Sequence, residues 1–154
     1  MKQNPDYDGL RAALTEAGKA GLDVPVGAVI IKDGKIIARG HNQRESCADP
    51  TAHAEIVALR QAAKVLGTWR LDGTTLYSTL EPCPMCAEAI LQARVSRLVF
   101  GAYDIHSGAA GSAFNLFCKD RIYPLPEIIG GICEEECQSL LIRFFREKSG
   151  KNSG

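Results

Sequence analysis

Two short segments constrain this chain more than anything else in it: His53-Ala54-Glu55 and Pro82-Cys83-Pro84-Met85-Cys86. One imidazole and two thiolates are soft ligands suited to Zn2+. Cys83 and Cys86 are three positions apart, so at the start of a helix they share one face and can pinch one ion. Periodicity places His53 in the first turn of a different helix, so a fold that uses all three brings two helix starts to one point. Three protein ligands leave a fourth position open, which marks a catalytic rather than a structural zinc site. Zinc in such a site lowers the pKa of water toward neutrality. Glu55 lies two positions from His53. Such residues do not share a face of a regular helix, but at its first turn both can border one cavity. From there a carboxylate can carry protons between water and a reacting group without binding the metal.

The remaining pattern supplies elements to hold these segments. Leu10, Ala13, Leu14 and Ala17 predict an amphipathic helix over 7–20, ended by Gly18 and Gly21. Val24 to Ile31 reads as a buried strand, Asp33-Gly34 as a hairpin turn, and Ile36 to Arg39 as the returning strand. A polar loop over 41–51 leads into a helix over 52–66. Thr74 to Leu80 is a strand, followed by a helix that Pro84 opens and that runs to about residue 92. Val95 to Gly101 is the next strand. Residues 102–126 lack periodicity, apart from Phe114 and Phe117, which suggest a short helix; so long a segment is often functional. Glu127 to Ile132 is a last strand, Ile132 to Arg146 a C-terminal helix, and Ser149–Gly154 a fraying tail. Alternating helices and strands indicate one α/β domain over 1–154, with three α/β/α layers around a five-stranded sheet. The opening hairpin makes that sheet mixed.

Composition narrows the function classes. The 154 residues carry 18 Lys+Arg against 18 Asp+Glu, a net charge of zero, which argues against nucleic-acid binding by bulk electrostatic attraction. It leaves room for a local patch, and Arg143, Arg146, Lys148 and Lys151 provide one near the C-terminus. No apolar run suits a signal peptide or a membrane span, so a cytoplasmic location is expected. Six cysteines could form disulfides, but a chain of this size has its own core and needs no staples. Cys133 and Cys137 read as one side of the C-terminal helix, and Cys47 and Cys118 as incidental thiols. Gly108-Ala109-Ala110-Gly111-Ser112 lacks the Lys-Ser/Thr ending of a phosphate loop, so it reads as a tight, closely packed turn.

The H-x-E plus P-C-x-x-C pair is the signature of zinc deaminases. Together with Val24-Pro25-Val26-Gly27-Ala28, Asp49-Pro50-Thr51, Thr79-Leu80-Glu81, Val99-Phe100-Gly101-Ala102 and Gly108–Ser112, it resembles the bacterial-type tRNA-specific adenosine deaminases. The resemblance covers nearly the whole chain and implies a cytidine deaminase-like fold. It implies hydrolytic deamination of adenosine to inosine at the wobble position of an arginine-type tRNA anticodon loop. On that resemblance one Zn2+ per subunit sits on His53, Cys83 and Cys86, and Glu55 is the catalytic proton shuttle. Asn42 bonds the target base or its sugar, and Val24 and the Ala54 backbone line the base pocket. Asp104, His106 and Ser107 contact neighbouring nucleotides, and Phe145 packs near the flipped-out base. The partners implied are tRNA and a second copy of the chain in a homodimer, with no membrane. The competing readings are a guanine or other free-base deaminase, a cytidine or dCMP deaminase, and a non-catalytic zinc-containing RNA-binding subunit, against which intact Glu55 speaks.

Overall fold

Asn4 caps the first helix: its side chain accepts the Asp6 amide at 2.9 Å, and Pro5 takes a first-turn position where its missing N–H costs nothing. Helix α1 (Pro5–Ala17) therefore begins before residue 7, where its apolar stripe first becomes visible. The computed structural model describes residues 4–152, with side chains through residue 150. Strands β1 (Gly27–Lys32) and β2 (Lys35–His41) form the expected hairpin, with Asp33 and Gly34 both at positive φ (51° and 76°). That is the two-residue turn whose twist matches flanking strands. Then follow α2 (Ala54–Leu66), β3 (Thr74–Leu80), α3 (Pro84–Gln92), β4 (Arg97–Ala102), β5 (Glu127–Ile129) and α4 (Glu134–Asn152).

The strands make one mixed sheet in the order β2-β1-β3-β4-β5. Strand β1 is antiparallel to β2 and β3, whereas β3, β4 and β5 run parallel. Side chains alternate between two apolar layers, as a pleated strand requires. Ala28, Ile30, Leu76, Leu98 and Phe100 face α2 and α3, meeting Ala58, Ala62, Ile90 and Leu91. Val29, Tyr77 and Val99 face the opposite side, under Leu10 and Ala13 of α1 and Cys137 of α4. The three-layer α/β/α architecture is thus the one that the alternating pattern predicts.

Three expectations change. Residues 103–126 hold no helix. Their backbone instead turns on Gly108, whose carbonyl accepts both Ala113 and Phe114 amides at 2.9 Å. Phe117 enters the core while Phe114 stays exposed. The last strand ends at Ile129, because a chain reversal at Gly130-Gly131 intervenes before α4, with Gly131 at φ 87°. Helix α4 runs from Glu134 to Asn152, past the Arg146 end that the apolar pattern marks; residues 153–154 lie outside the described residues. Cys133 precedes α4 at φ 55°, so only Cys137 of that pair is helical. All six cysteines are free thiols. No helix among the described residues is long and apolar enough to cross a membrane.

A buried ion pair ties α1 to the sheet. Asp6 accepts the Tyr77 hydroxyl at 2.8 Å and two Arg97 guanidinium nitrogens at 3.2 and 3.1 Å. Burial by itself raises the Asp6 pKa, but the Arg97 and Tyr77 hydrogen bonds outweigh it and hold the carboxyl below its ordinary 3.8. Tyr77 is pushed up to about 12, by burial and by the carboxylate it donates to. Asp6→Ala should lower unfolding free energy at pH 7 by about 2–3 kcal/mol, because it strands the Tyr77 hydroxyl and a half-buried cation. A depressed carboxylate stabilises above its unfolded pKa, and that stability is lost as pH falls through the lower folded value. The gap between wild type and variant in urea titrations should therefore persist from pH 7 down to about pH 4 and narrow below it.

Candidate active site

The parallel strand β3 delivers the chain to the carboxyl edge of the sheet, where crevices of open α/β sheets hold ligands. Cys83 is the N-cap of α3, with Pro84 directly after it and Cys86 in the first turn. His53 is the N-cap of α2, in extended conformation (φ −71°, ψ 153°), one step outside the first turn that its sequence context suggests. This extended step answers the spacing problem. An N-cap side chain does not follow the helical rotation of the residues after it, so His53 and Glu55 line the same cavity. Two helix N-termini, each the positive end of a dipole, thus meet at the cluster that holds the Cys83 thiolate.

The Cys83 and Cys86 sulfurs each lie 3.5 Å from His53 Nδ1, and all three ligand atoms fall within 4.8 Å of one another. A tetrahedral ion with Zn–S of about 2.3 Å and Zn–N of about 2.0 Å places N and S about 3.5 Å apart. The donor set and its spacing therefore fit a metal ion. Hydrogen bonding from Cys86 draws the Cys83 thiol down to about 4 against the opposing effect of burial, and His53 adds to it. Cys86 moves upward in turn, because it donates to that thiolate. The same Cys83 contact raises His53 despite partial burial. Glu55 is buried behind the cluster and is pushed up to about 7, chiefly by desolvation. A carboxyl near neutral can both take and return a proton, which is what a shuttle needs.

The cavity holds about 220 Å3 and is walled by Val24, Val26, Asn42, Ala54, Leu80 and Asp104, among others. The chain matches the family described as the cytidine and deoxycytidylate deaminase zinc-binding region over residues 4–102. It is 49% identical over 149 residues to the tRNA-specific adenosine deaminase of Bacillus subtilis, covering 96% of this chain and 91% of that one. The chain belongs to the tRNA-specific adenosine deaminases. A structure from a study of A-to-I editing by tRNA:A34 deaminases at the wobble position of transfer RNA superposes with TM-score 0.84. Its sequence identity is 43%, over 87% of this chain and 99% of that one. A guanine deaminase structure from Bacillus subtilis superposes with TM-score 0.63 and 38% identity, over 89% and 93% of the two chains.

The deaminase fold gathers most of the residues singled out in the sequence. Val24, Asn42, His53, Ala54, Glu55, Cys83, Asp104 and Ser107 all line the cavity. Asn42 is held in place by one donated and one accepted hydrogen bond, which leaves its second N–H and its second oxygen lone pair for a ligand. Its Nδ2 donates to the Val24 carbonyl at 3.3 Å and its Oδ1 accepts the Arg44 amide at 3.2 Å. Asp104 Oδ1 accepts the His106 and Ser107 amides, both at 3.1 Å, and so shapes the turn. His106 itself is exposed and outside the cavity lining. Phe145 is 51% exposed and lines no cavity, because Phe144, one helical step away, takes the groove-facing position on α4.

Four lining residues were not singled out as site residues in the sequence, the apolar Val26 and Leu80 and the charged Arg44 and Glu81. Arg44 borders both the cavity and an adjoining groove that includes Phe144 and Lys148. Its guanidinium is close enough to His53 to oppose protonation there. Of the basic C-terminal residues, Lys148 reaches this groove, and the Lys151 side chain lies outside the described residues.

Gly40 sets the distance between β2 and α2. A Cβ there would sit 2.5 Å from the Ala54 carbonyl oxygen and 2.9 Å from the Ala58 nitrogen, both backbone atoms. Gly40→Ala should push the α2 N-terminus, and His53 with it, away from the cysteines. The expected result is metal affinity lowered by about tenfold or more in chelator competition, with stability reduced by about 1–3 kcal/mol.

Proposed function

We propose that this chain deaminates adenosine to inosine at the wobble position of a tRNA anticodon loop, of arginine type, converting adenosine and water to inosine and ammonia. The observation that carries the chemistry is the buried Glu55 carboxyl sharing a cavity with the His53–Cys83–Cys86 cluster. The substrate class rests on relatives named as tRNA-specific adenosine deaminases. His53, Cys83 and Cys86 hold one Zn2+ per chain. Bound there, zinc supplies a Lewis-acidic centre that makes water nucleophilic near neutral pH. Glu55 takes one proton from the attacking water and passes it to the purine ring nitrogen, then takes the second from the newly added hydroxyl and gives it to the departing amine, which leaves as ammonia. Val24 and the Ala54 backbone bracket the base, and Asn42 bonds the base or its ribose. Asp104, His106 and Ser107 contact the flanking nucleotides. An anticodon loop suits such a site because its bases leave the stack at low cost.

The open groove beyond the cavity, with Arg44, Phe144 and Lys148, supports a substrate larger than a free base. It also reconciles a neutral chain with an RNA partner, since a short loop needs only a local cationic patch. The partner in a homodimer is a second copy of the chain, and sedimentation of the purified chain tests this.

The likeness to a guanine deaminase supplies the second reading, and one assay separates the two. Inosine formation on an arginine tRNA anticodon stem-loop is measured beside release of ammonia from free guanine, adenosine and cytidine. Turnover of the stem-loop alone is expected; turnover of guanine alone would refute the tRNA reading. Glu55→Ala should retain bound metal and lose about a thousandfold in kcat on the stem-loop. Wild-type turnover in that variant would refute the shuttle.

A further inference from the structure

Glu81 is 2% exposed, carries no ion pair among the described residues, and stands two positions before Cys83. Its carboxylate is satisfied entirely by the segment after β4. Oε1 accepts the Asp104 amide at 3.1 Å and the Ser112 hydroxyl. Oε2 accepts the Ala110 amide at 2.9 Å and the Ser112 amide at 3.2 Å. Two backbone bonds join the same pieces of chain: the Glu81 amide donates to the Ala102 carbonyl at 2.9 Å, and the Ala109 amide to the Pro82 carbonyl at 2.8 Å. Gly108 lies flat on the carboxylate, where a Cβ would meet Glu81 Cδ at 2.4 Å and the Asp104 carbonyl at 2.5 Å. Asp104 in turn holds the Ser107 amide. An unbroken chain of hydrogen bonds therefore runs from the metal-ligand turn, through one buried carboxylate, to Asp104 and Ser107 on the cavity rim.

We propose that Glu81 is a positioning residue that registers the Asp104–Ser107 rim against the Cys83–Cys86 turn, and thereby sets how the nucleotides flanking the target are held. It is outside the metal-ligand cluster, and every hydrogen bond of its carboxylate goes to the rim, so it acts on substrate through that segment. A buried carboxylate ringed by backbone N–H groups suits this task. Each donor it loses is left unsatisfied away from water, so the arrangement has one low-energy geometry rather than several. A glutamine cannot replace it. Whichever way the amide is turned, its NH2 faces at least one backbone N–H. Turned to keep both bonds at the Oε2 position, it faces the Asp104 amide and releases the rim there. The proposal rests on the tRNA-loop reading for its substrate, but not for the rim geometry.

The test uses Glu81→Gln and, independently, Gly108→Ala, which pushes the rim off an intact carboxylate. Both should keep wild-type metal content and raise KM for the anticodon stem-loop about tenfold, with kcat nearly unchanged, as loss of uniform binding does. In a cycle with Asp104→Ala, the double variant Glu81→Gln/Asp104→Ala should be no worse than the poorer single variant, because both act through Asp104. Amide hydrogen exchange at Asp104, Ala110 and Ser112 should be slow in wild type and faster in Glu81→Gln. An unchanged KM in both single variants, additive effects in the cycle, or loss of metal in place of the KM effect would each overturn the proposal. If wild type fails on the stem-loop yet the three amides lose protection in Glu81→Gln, the tRNA reading falls and the rim assignment stands. If wild type turns over the stem-loop and the amides exchange alike in both proteins, the assignment falls and the function stands.

Discussion

Two helices must begin at the same point in space for His53 to meet Cys83 and Cys86, and the rest of the architecture serves that meeting. Helix α2 follows the antiparallel hairpin, whereas α3 follows the parallel strand β3, yet both lie on one face of the sheet. Their N-termini converge because β2 and β3, each antiparallel to β1, run in the same direction and end at the same edge of the sheet. The approach is close enough that β2 needs a glycine at position 40, under the backbone of Ala54 and Ala58. The apolar layer between the sheet and α2 and α3 holds both helices, and with them the three ligand atoms within 4.8 Å of one another. Pre-organisation of this kind lowers the cost of binding an ion and fixes the direction of the open coordination position.

The rim of the cavity obeys a different rule. Its segments are irregular and have few periodic apolar contacts, so they are held by buried carboxylates. Glu81 gathers the segment after β4. Asp23, also 2% exposed, gathers the loop after β2, accepting the Glu45 amide at 2.7 Å and the Ser46 amide at 3.2 Å. Burial alone raises the Asp23 pKa, and these backbone donors reverse that and bring it below the ordinary range. Each carboxylate sits beside a site residue, Asp23 next to Val24 and Glu81 two positions before Cys83. The cavity is therefore bounded by a rigid metal-facing floor and by two loops whose positions depend on hydrogen bonds to single side chains.

Much of this was legible in the linear chain where local physics dominates. Asp33-Gly34 forms its turn because both positions accept positive φ. Strand β3 and helix α3 run over the residues that alternation and Pro84 mark out. Asn4-Pro5 is a cap signal upstream of the apolar stripe, so the stripe alone starts α1 too late. Phe114 and Phe117 failed as a helix signal because two aromatics three apart do not make a helical face when the backbone between them is committed to turns on Gly108 and Asn115. Phe144 and Phe145 show the same limit. Adjacent positions on a helix differ by about 100°, and only packing of α4 decided that Phe144 faces the groove.

The chain's own letters settled which chemistry is present: an imidazole, two thiols and a carboxyl placed at two helix starts, within a sequence close enough to its relatives to name the family. Those are consequences of residue identity and short-range spacing, which folding does not alter. Tertiary structure decided the rest. It made Glu55 a buried acid shifted toward neutrality, joined Arg44 to a groove with Lys148, and turned Glu81 from one more acidic letter into the tie between metal turn and rim. Burial, and hydrogen bonds between segments far apart in the chain, leave no period or motif behind them. They become visible only when the sheet brings those segments together.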